Sequence, residues 1–286
     1  MSTVSTVNTV NTANTANTAN AVNDTQALTR AAIQSALGPY ASAVEVNVYD
    51  VVDSTNTLAK ERAAEEAPVL YVARSQRAGR GRLGRSFHSP ADTGLYMTVA
   101  YTTREPLTEA VRVTALAAVA AVSAIEALTD KHPAVKWVND VYLGGCKIGG
   151  ILTEAVTLPE GKTRMIVGIG VNLTTADFPE GLRAPASSLF APDEADGIPP
   201  DFSGRLAGEI SRRLLEALDG VIPPQQCLEI YRDHLLYVGE AVRCTRGSEV
   251  FDGTVLGVDE GYALLVEAAG ETLALSSGEI SIRPRT

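Results

Sequence analysis

The chain has 286 residues, 45% hydrophobic and 20% charged, with a formal net charge of −10; that length holds one full-sized core plus a smaller domain and excludes a wholly disordered chain. The acidic balance argues against a broad basic face for non-specific nucleic-acid binding. Cys146, Cys227 and Cys244 are far apart, odd in number and without a CxxC pair, which suggests reduced thiols rather than a zinc site or a disulfide framework.

Residues 1–22 repeat Asn-Thr-Ala/Val triplets without Lys or Arg. They have little apolar mass to set against ordering entropy, so a disordered tail is expected, not a secretory signal, and its removal should leave activity intact. No stretch carries the roughly 18 uncharged apolar residues of a membrane span; the closest, Val111 to Leu128, holds Arg112 and Glu126. A cytoplasmic protein without a membrane partner is expected.

"TQALTRAAIQSAL" predicts a short amphipathic helix, and "VEVNVYDVV" alternates at period two as a half-buried strand does. It runs into "DSTNTLAKERAAEEA", a helix with Asp53, Ser54 and Thr55 as natural N-caps. A strand over 69–74 leads to "RSQRAGRGRLGRSF", five arginines and three glycines over 74–87 with no acid. Glycine disfavours both regular structures, so this is a loop, its charge local and suited to a small anionic ligand. Then come a strand "GLYMTVAY", an alanine-rich helix over about 107–129, the strand end "VKWVND", a hairpin turning at Gly144-Gly145 and an apolar strand "RMIVGIGVNL". A long surface connection over 174–201 precedes helices near 202–218 and 224–236. From Glu240 short alternating strands separated by glycine turns indicate a small β-barrel. The expected organisation is therefore α+β: a tail over 1–22, a catalytic mixed sheet with helices over 23–238 and a barrel over 239–286.

Ser54-Thr55-Asn56, the arginine loop, "KWVND" with "GGCKIGG", and "GIGVN" all lie at strand ends, where open α/β sheets place ligands. Singly, each has an ordinary structural explanation: a helix cap, a solvated loop, a turn with an edge-strand lysine, a weak glycine pattern.

In combination, "DSTN", "QRAGRGRLGRSFHSP", "KWVNDVYLGGCKIGGILTE", "GIGVNL", "ASSL" and "GEISIR" resemble the biotin protein ligases, the biotin–[acetyl-CoA-carboxylase] ligases, over about Val46 to Arg283. The resemblance implies the class II synthetase-like biotin/lipoate ligase fold with a C-terminal SH3-like barrel. It implies an enzyme that uses MgATP to form biotinyl-5′-AMP, then biotinylates a lysine of a biotin carboxyl carrier domain. Both reactants of the first step are anions, so cations and N–H donors must gather where they meet. Arg80 and Arg82 are assigned to the biotin carboxylate and the adenylate phosphate, Gly79 and Gly81 to close backbone approach, and Arg85 to the outgoing phosphates. The loop is expected to be mobile until ligand arrives. Ser54, Thr55 and Gln76, with Asn56 nearby, match the ureido contacts; Lys147 matches the lysine that reaches the carboxylate and α-phosphate, and Gly150 a backbone contact beside it. Asn139, Asn172 and Phe87 are assigned to the nucleotide, and Asp140 to magnesium placement or to orienting the acceptor lysine. Arg82, Lys147 and Asp140 are the expected catalytic set.

Two residues depart from the family pattern. Phe87 stands where tryptophan is usual, and Val138 where proline is usual, which is expected to free the backbone before Asn139. No N-terminal winged helix is expected, and no nucleic-acid partner; the oligomeric state is left as a monomer or weak homodimer. A lipoate ligase shares the acyl-adenylate logic, and a nucleic-acid-binding regulator using the arginine loop is the alternative of another class.

Overall fold

The computed structural model describes residues 28–104, 110–182, 184–276 and 280–284. The expected tail, the first residues of the first helix, residues 107–109 of the long helix and the start of "GEISIR" lie outside the described residues. In chain order the elements are α1 (Arg30–Leu37), β1 (Glu45–Val52), α2 (Thr55–Glu61), β2 (Val69–Gln76), β3 (Gly94–Thr103), α3 (Ala110–Leu128), β4 (Ala134–Lys136), β5 (Asp140–Leu143), β6 (Cys146–Thr157) and β7 (Thr163–Asn172). They continue with α4 (Phe202–Leu218), α5 (Pro224–Asp233), β8 (Ala241–Arg246), β9 (Glu249–Val258), β10 (Leu264–Ala268), β11 (Glu271–Leu275) and β12 (Ile280–Pro284).

Strands β1 to β7 form one seven-stranded sheet in the order β1-β2-β3-β7-β6-β5-β4. Only β1 and β2 run parallel; the other neighbours are antiparallel. One face carries Leu70, Val72, Met97, Val99, Val167 and Ile169, buried beneath α1, α3 and α4. The alanines of α3 let it approach closely, and although long and apolar enough to span a membrane on composition alone, it is mostly buried as a core helix. Each large aliphatic side chain buried here contributes roughly 1.5–3 kcal/mol.

The opposite face is covered thinly, by α2 packing on Val69, Tyr71, Ala100 and Ile166 through Ala59. Beyond α2 this face is the floor of the candidate site. Among the described residues the C-terminal strands pair as one antiparallel five-stranded sheet, β11-β10-β9-β8-β12. It docks on the larger unit through Trp137, whose Nε1 donates to the Tyr262 carbonyl at 2.8 Å, and Arg232, which donates to the Val258 carbonyl. The three cysteines are free thiols.

Three local expectations need correction. Ser54 makes no side-chain cap; the Thr55 N–H donates instead to Gln76 Oε1 at 2.9 Å, so β2 caps α2. That helix ends at Glu61, well before Ala67. Helix α5 stops at Asp233 because residues 234–236 pair with β4, Val135 N donating to His234 O and Leu236 N to Val135 O. The Trp137–Val138 peptide is cis, and Val138 is buried.

Candidate functional site

A cavity of about 720 Å³ opens at the end of the sheet where β2, β5, β6 and β7 meet α2 and the arginine loop. One side of it is neutral and polar. Thr55 N and Oγ1 both donate to Gln76 Oε1, at 2.9 and 3.2 Å. Gln76 Nε2 donates to Ser89 Oγ at 3.0 Å, and Ser89 Oγ donates to the Phe87 carbonyl at 2.9 Å. Thr98 Oγ1, fully buried on β3, lies 2.8 Å from Thr55 Oγ1 and 2.7 Å from Asn56 Oδ1 with one proton to share.

The Asn56 amide is engaged within the protein: Oδ1 accepts from Thr98, and Nδ2 donates to the Leu152 carbonyl at 3.3 Å and Glu154 Oε2 at 3.0 Å. The amide fits only because β7 has glycine beneath it. A Cβ on Gly168 would lie 2.1 Å from Asn56 Oδ1. Two residues along, a Cβ on Gly170 would lie 2.6 Å from the Phe87 ring, which sits edge-on to Tyr96 at 6.4 Å. The "GIG" pattern is thus a pair of clearances, one for each side chain laid across the strand.

The other side of the cavity is cationic. Among the described residues its lining includes Arg80, Arg82, Arg85, Lys136 and Lys147 against the single carboxylate Asp140, a strong local excess in an acidic chain. Arg82 Nη1 donates to Asn139 Oδ1 at 2.9 Å. Asp140 Oδ1 accepts from Asn139 Nδ2 at 2.9 Å and Lys147 Nζ at 2.6 Å. These contacts join the three expected catalytic residues, two of them through Asn139. Burial pushes the Arg82 pKa down and the Arg85 charge adds to that, while Asp140 opposes it. Such a pair of neighbouring cations is stabilised by an anion between them.

Arg80 Nη2 lies 3.4 Å from Glu154 Oε1, and Lys60 Nζ lies 2.6 Å from the same oxygen. Gly150 borders Lys147, its Cβ position 3.3 Å from Nζ. Asn172 lines the cavity while donating to the Ser187 carbonyl at 3.1 Å. Ser54 and Gly81 also line it; Gly79 does not. A Cβ on Gly79 would lie 2.4 Å from the Phe87 carbonyl, so glycine there lets the loop close on itself. The loop makes its own backbone bonds, Gly81 N to Arg85 O and Phe87 N to Gly79 O, both at 2.8 Å.

Thr98, Glu154, Lys60 and Ser89 were not singled out by the sequence reading. Thr98 had a signal, as a polar residue in an otherwise apolar strand; Glu154 and Lys60 look like surface charges until the fold sets them together. The connection after β7 contributes Phe178, Leu182 and Ala186 to the lining, and β8 and its turn contribute Thr245 and Gly247. No group of three or more His, Cys, Asp or Glu that could hold a metal occurs among the described residues. Any divalent ion here would come with an anionic ligand that supplies most of its oxygens.

A family model described as the biotin/lipoate A/B protein ligase family matches residues 48–172. The bifunctional ligase/repressor of Bacillus spizizenii is 32% identical over 240 residues, 82% of this chain and 72% of that protein. A biotin–[acetyl-CoA-carboxylase] ligase of Mycobacterium tuberculosis is 29% identical over 244 residues, 82% of this chain and 88% of that one. Among solved structures, a biotin protein ligase from Aquifex aeolicus in complex with biotin and ATP aligns with a TM-score of 0.66 at 26% identity, covering 84% of this chain and 99% of that chain.

Proposed function

Because this chain belongs to the biotin protein ligase family, we propose that it joins biotin to ATP as biotinyl-5′-AMP and passes the biotinyl group to a lysine of a carboxyl carrier domain in the cytoplasm. The observation that carries this reading is the polarity of one cavity, neutral donors and acceptors at Thr55 and Gln76 at one end and Arg80, Arg82 and Lys147 at the other. Biotin has the same polarity, a ureido ring at one end and a carboxylate at the other.

In the first step a biotin carboxylate oxygen attacks the α-phosphorus of ATP, a new P–O bond forms and pyrophosphate leaves. Arg80 and Lys147 hold the carboxylate, Arg82 the α-phosphate and Arg85 the departing phosphates; once the loop closes over the substrates and excludes water, these cations stabilise charge that grows in the transition state. Asn139 and Asn172 position the nucleotide, with the Phe87 ring as an apolar wall. Asp140, the one lining carboxylate among the described residues, would meet magnesium, which neutralises phosphate charge when bound.

In the second step the acceptor lysine nitrogen attacks the biotinyl carbonyl carbon, forming an amide and releasing AMP. That amine has an ordinary pKa of ~10.4 and must lose a proton. Asp140, beside Lys147, orients the amine and takes that proton. Incubating the protein with biotin, MgATP and a carrier domain should give streptavidin-reactive carrier, abolished when its acceptor lysine is replaced by arginine. Adenylate formation with no carrier labelling would contradict the transfer half.

A further inference from the structure

We infer that Glu154 is a positioning residue that parks Arg80 while the biotin site is empty, and that Lys60 makes the release of Arg80 inexpensive. The inference rests on the proposed role of Arg80 as a holder of the biotin carboxylate and extends it to the ligand-free state.

Glu154 lies on β6 outside the cavity lining, its side chain 18% exposed. Its two oxygens face different elements. Oε2 accepts from the buried Asn56 amide, while Oε1 is shared by Lys60 of α2 at 2.6 Å and Arg80 of the loop at 3.4 Å. The two cations are held unequally. Lys60 is close and less exposed; Arg80 stands 0.8 Å farther off and is 47% exposed, and such a solvated pair is weak and readily exchanged.

A carboxylate enclosed this far strongly opposes losing its only counter-ion. Glu154 avoids that penalty, because Lys60 and Asn56 remain on it when Arg80 leaves. Arg80 therefore has two anions to choose between, Glu154 or the biotin carboxylate, and the difference between them is small enough for ligand to decide.

The same chain of hydrogen bonds ties this choice to the neutral end of the cavity. Glu154 holds Asn56, Asn56 meets Thr98, Thr98 meets Thr55, Thr55 meets Gln76, and Gln76 reaches Ser89 and so the Phe87 carbonyl at the far end of the loop. Both ends of the arginine loop thus rest on the residues proposed to bind the ureido ring.

Two substitutions separate this role from a structural one, because they act in opposite directions. Removing the competitor in Glu154→Gln keeps the bond to Asn56 and frees Arg80, so biotin should bind roughly two- to fivefold tighter. Removing the relief cation in Lys60→Met leaves Arg80 as the only cation on Glu154, so biotin should bind weaker by a similar factor. A bulk field effect would give the same signs, and the Arg80→Ala background separates the two. The experiment is calorimetric titration of biotin into the full chain for wild type, E154Q, K60M, R80A, R80A/E154Q and R80A/K60M, with thermal unfolding to verify each fold. Opposite shifts that vanish in the R80A background support the parking role. Equal affinities, shifts of one sign, or an E154Q gain that persists with Arg80 absent would overturn it. Wild type that binds no biotin would instead defeat the proposed function, a result distinct from any of these.

Discussion

Lys147 and Asp140 face each other at 2.6 Å with side chains 31% and 24% exposed, so Lys147→Met removes a cation from the cavity without opening a hole in the core. Loss of one preorganised electrostatic donor typically costs about 10²–10³ in rate. Biotin-dependent pyrophosphate release by K147M should fall by that order while the melting temperature moves little; a variant that retains most of its rate would remove Lys147 from the mechanism. The glycines of β7 make a contrasting pair. Gly168→Ala drives a methyl into the buried Asn56 amide, and such overpacking costs typically 1–3 kcal/mol, visible as a lowered urea midpoint. Gly170→Ala meets the Phe87 ring edge, which can swing into the cavity, so the Michaelis constant for ATP should rise with less loss of stability. Arg80, Arg82, Asp140 and Lys147, which the resemblance pointed to, line one cavity, whereas Lys60 and Glu154 gave no such signal. These glycines read as a weak pattern because what they clear, Asn56 and Phe87, lies far off in sequence.

The arginine loop has only a single short turn over Arg82–Gly84 and is held by backbone bonds within itself and to Val52 and Asp53, and by the Arg80 and Arg82 side chains. With Arg77, Arg80 and Arg85 exposed, trypsin should cut there in the empty protein, and biotin with a non-hydrolysable ATP analogue should slow cleavage several-fold. Equal cleavage with and without ligands would contradict closure over the substrate. Helix α2 and β6 are tied at the same place through Lys60, Asn56 and Glu154. Burial raises the Glu154 pKa, but hydrogen bonds from Lys60 and Asn56 and the charges of Lys60 and Arg80 hold it below its ordinary 4.5. A carboxyl lower in the folded state stabilises the fold above its unfolded pKa and loses that contribution as pH falls through the folded value. The stability gap between wild type and E154Q should therefore be widest at neutral pH and close on acidification; a gap independent of pH would contradict this assignment. Element types follow from periodicity and composition. Element ends were less legible, since α2 ends at Glu61, one residue past its Lys60 tie to Glu154 on β6, and α5 stops where residues 234–236 turn to pair with β4.

At the scale of the molecule, the small C-terminal sheet is not an appendage of the site. Thr245 and Gly247 line the cavity, and the sheet is fastened by the buried bond from Trp137 to the Tyr262 carbonyl at the start of the "KWVND" segment. Trp137→Phe leaves that carbonyl unpaired and should destabilise the protein by about 1–3 kcal/mol, with a parallel loss of ATP affinity if the docked sheet shapes the nucleotide side. Alternating strands behind Glu240 were legible as a separate β unit. Which of its residues face the cavity was not, because that depends on how two sheets dock, a relation without local periodicity. The central claim, that one cavity pairs a ureido end with an anion-gathering end for adenylation, is tested most directly by pyrophosphate release from MgATP with biotin, with lipoate and with neither, alongside an Arg82→Ala control. Release that requires biotin and collapses in R82A is the predicted result; release with lipoate alone, or none with either acid, would contradict it.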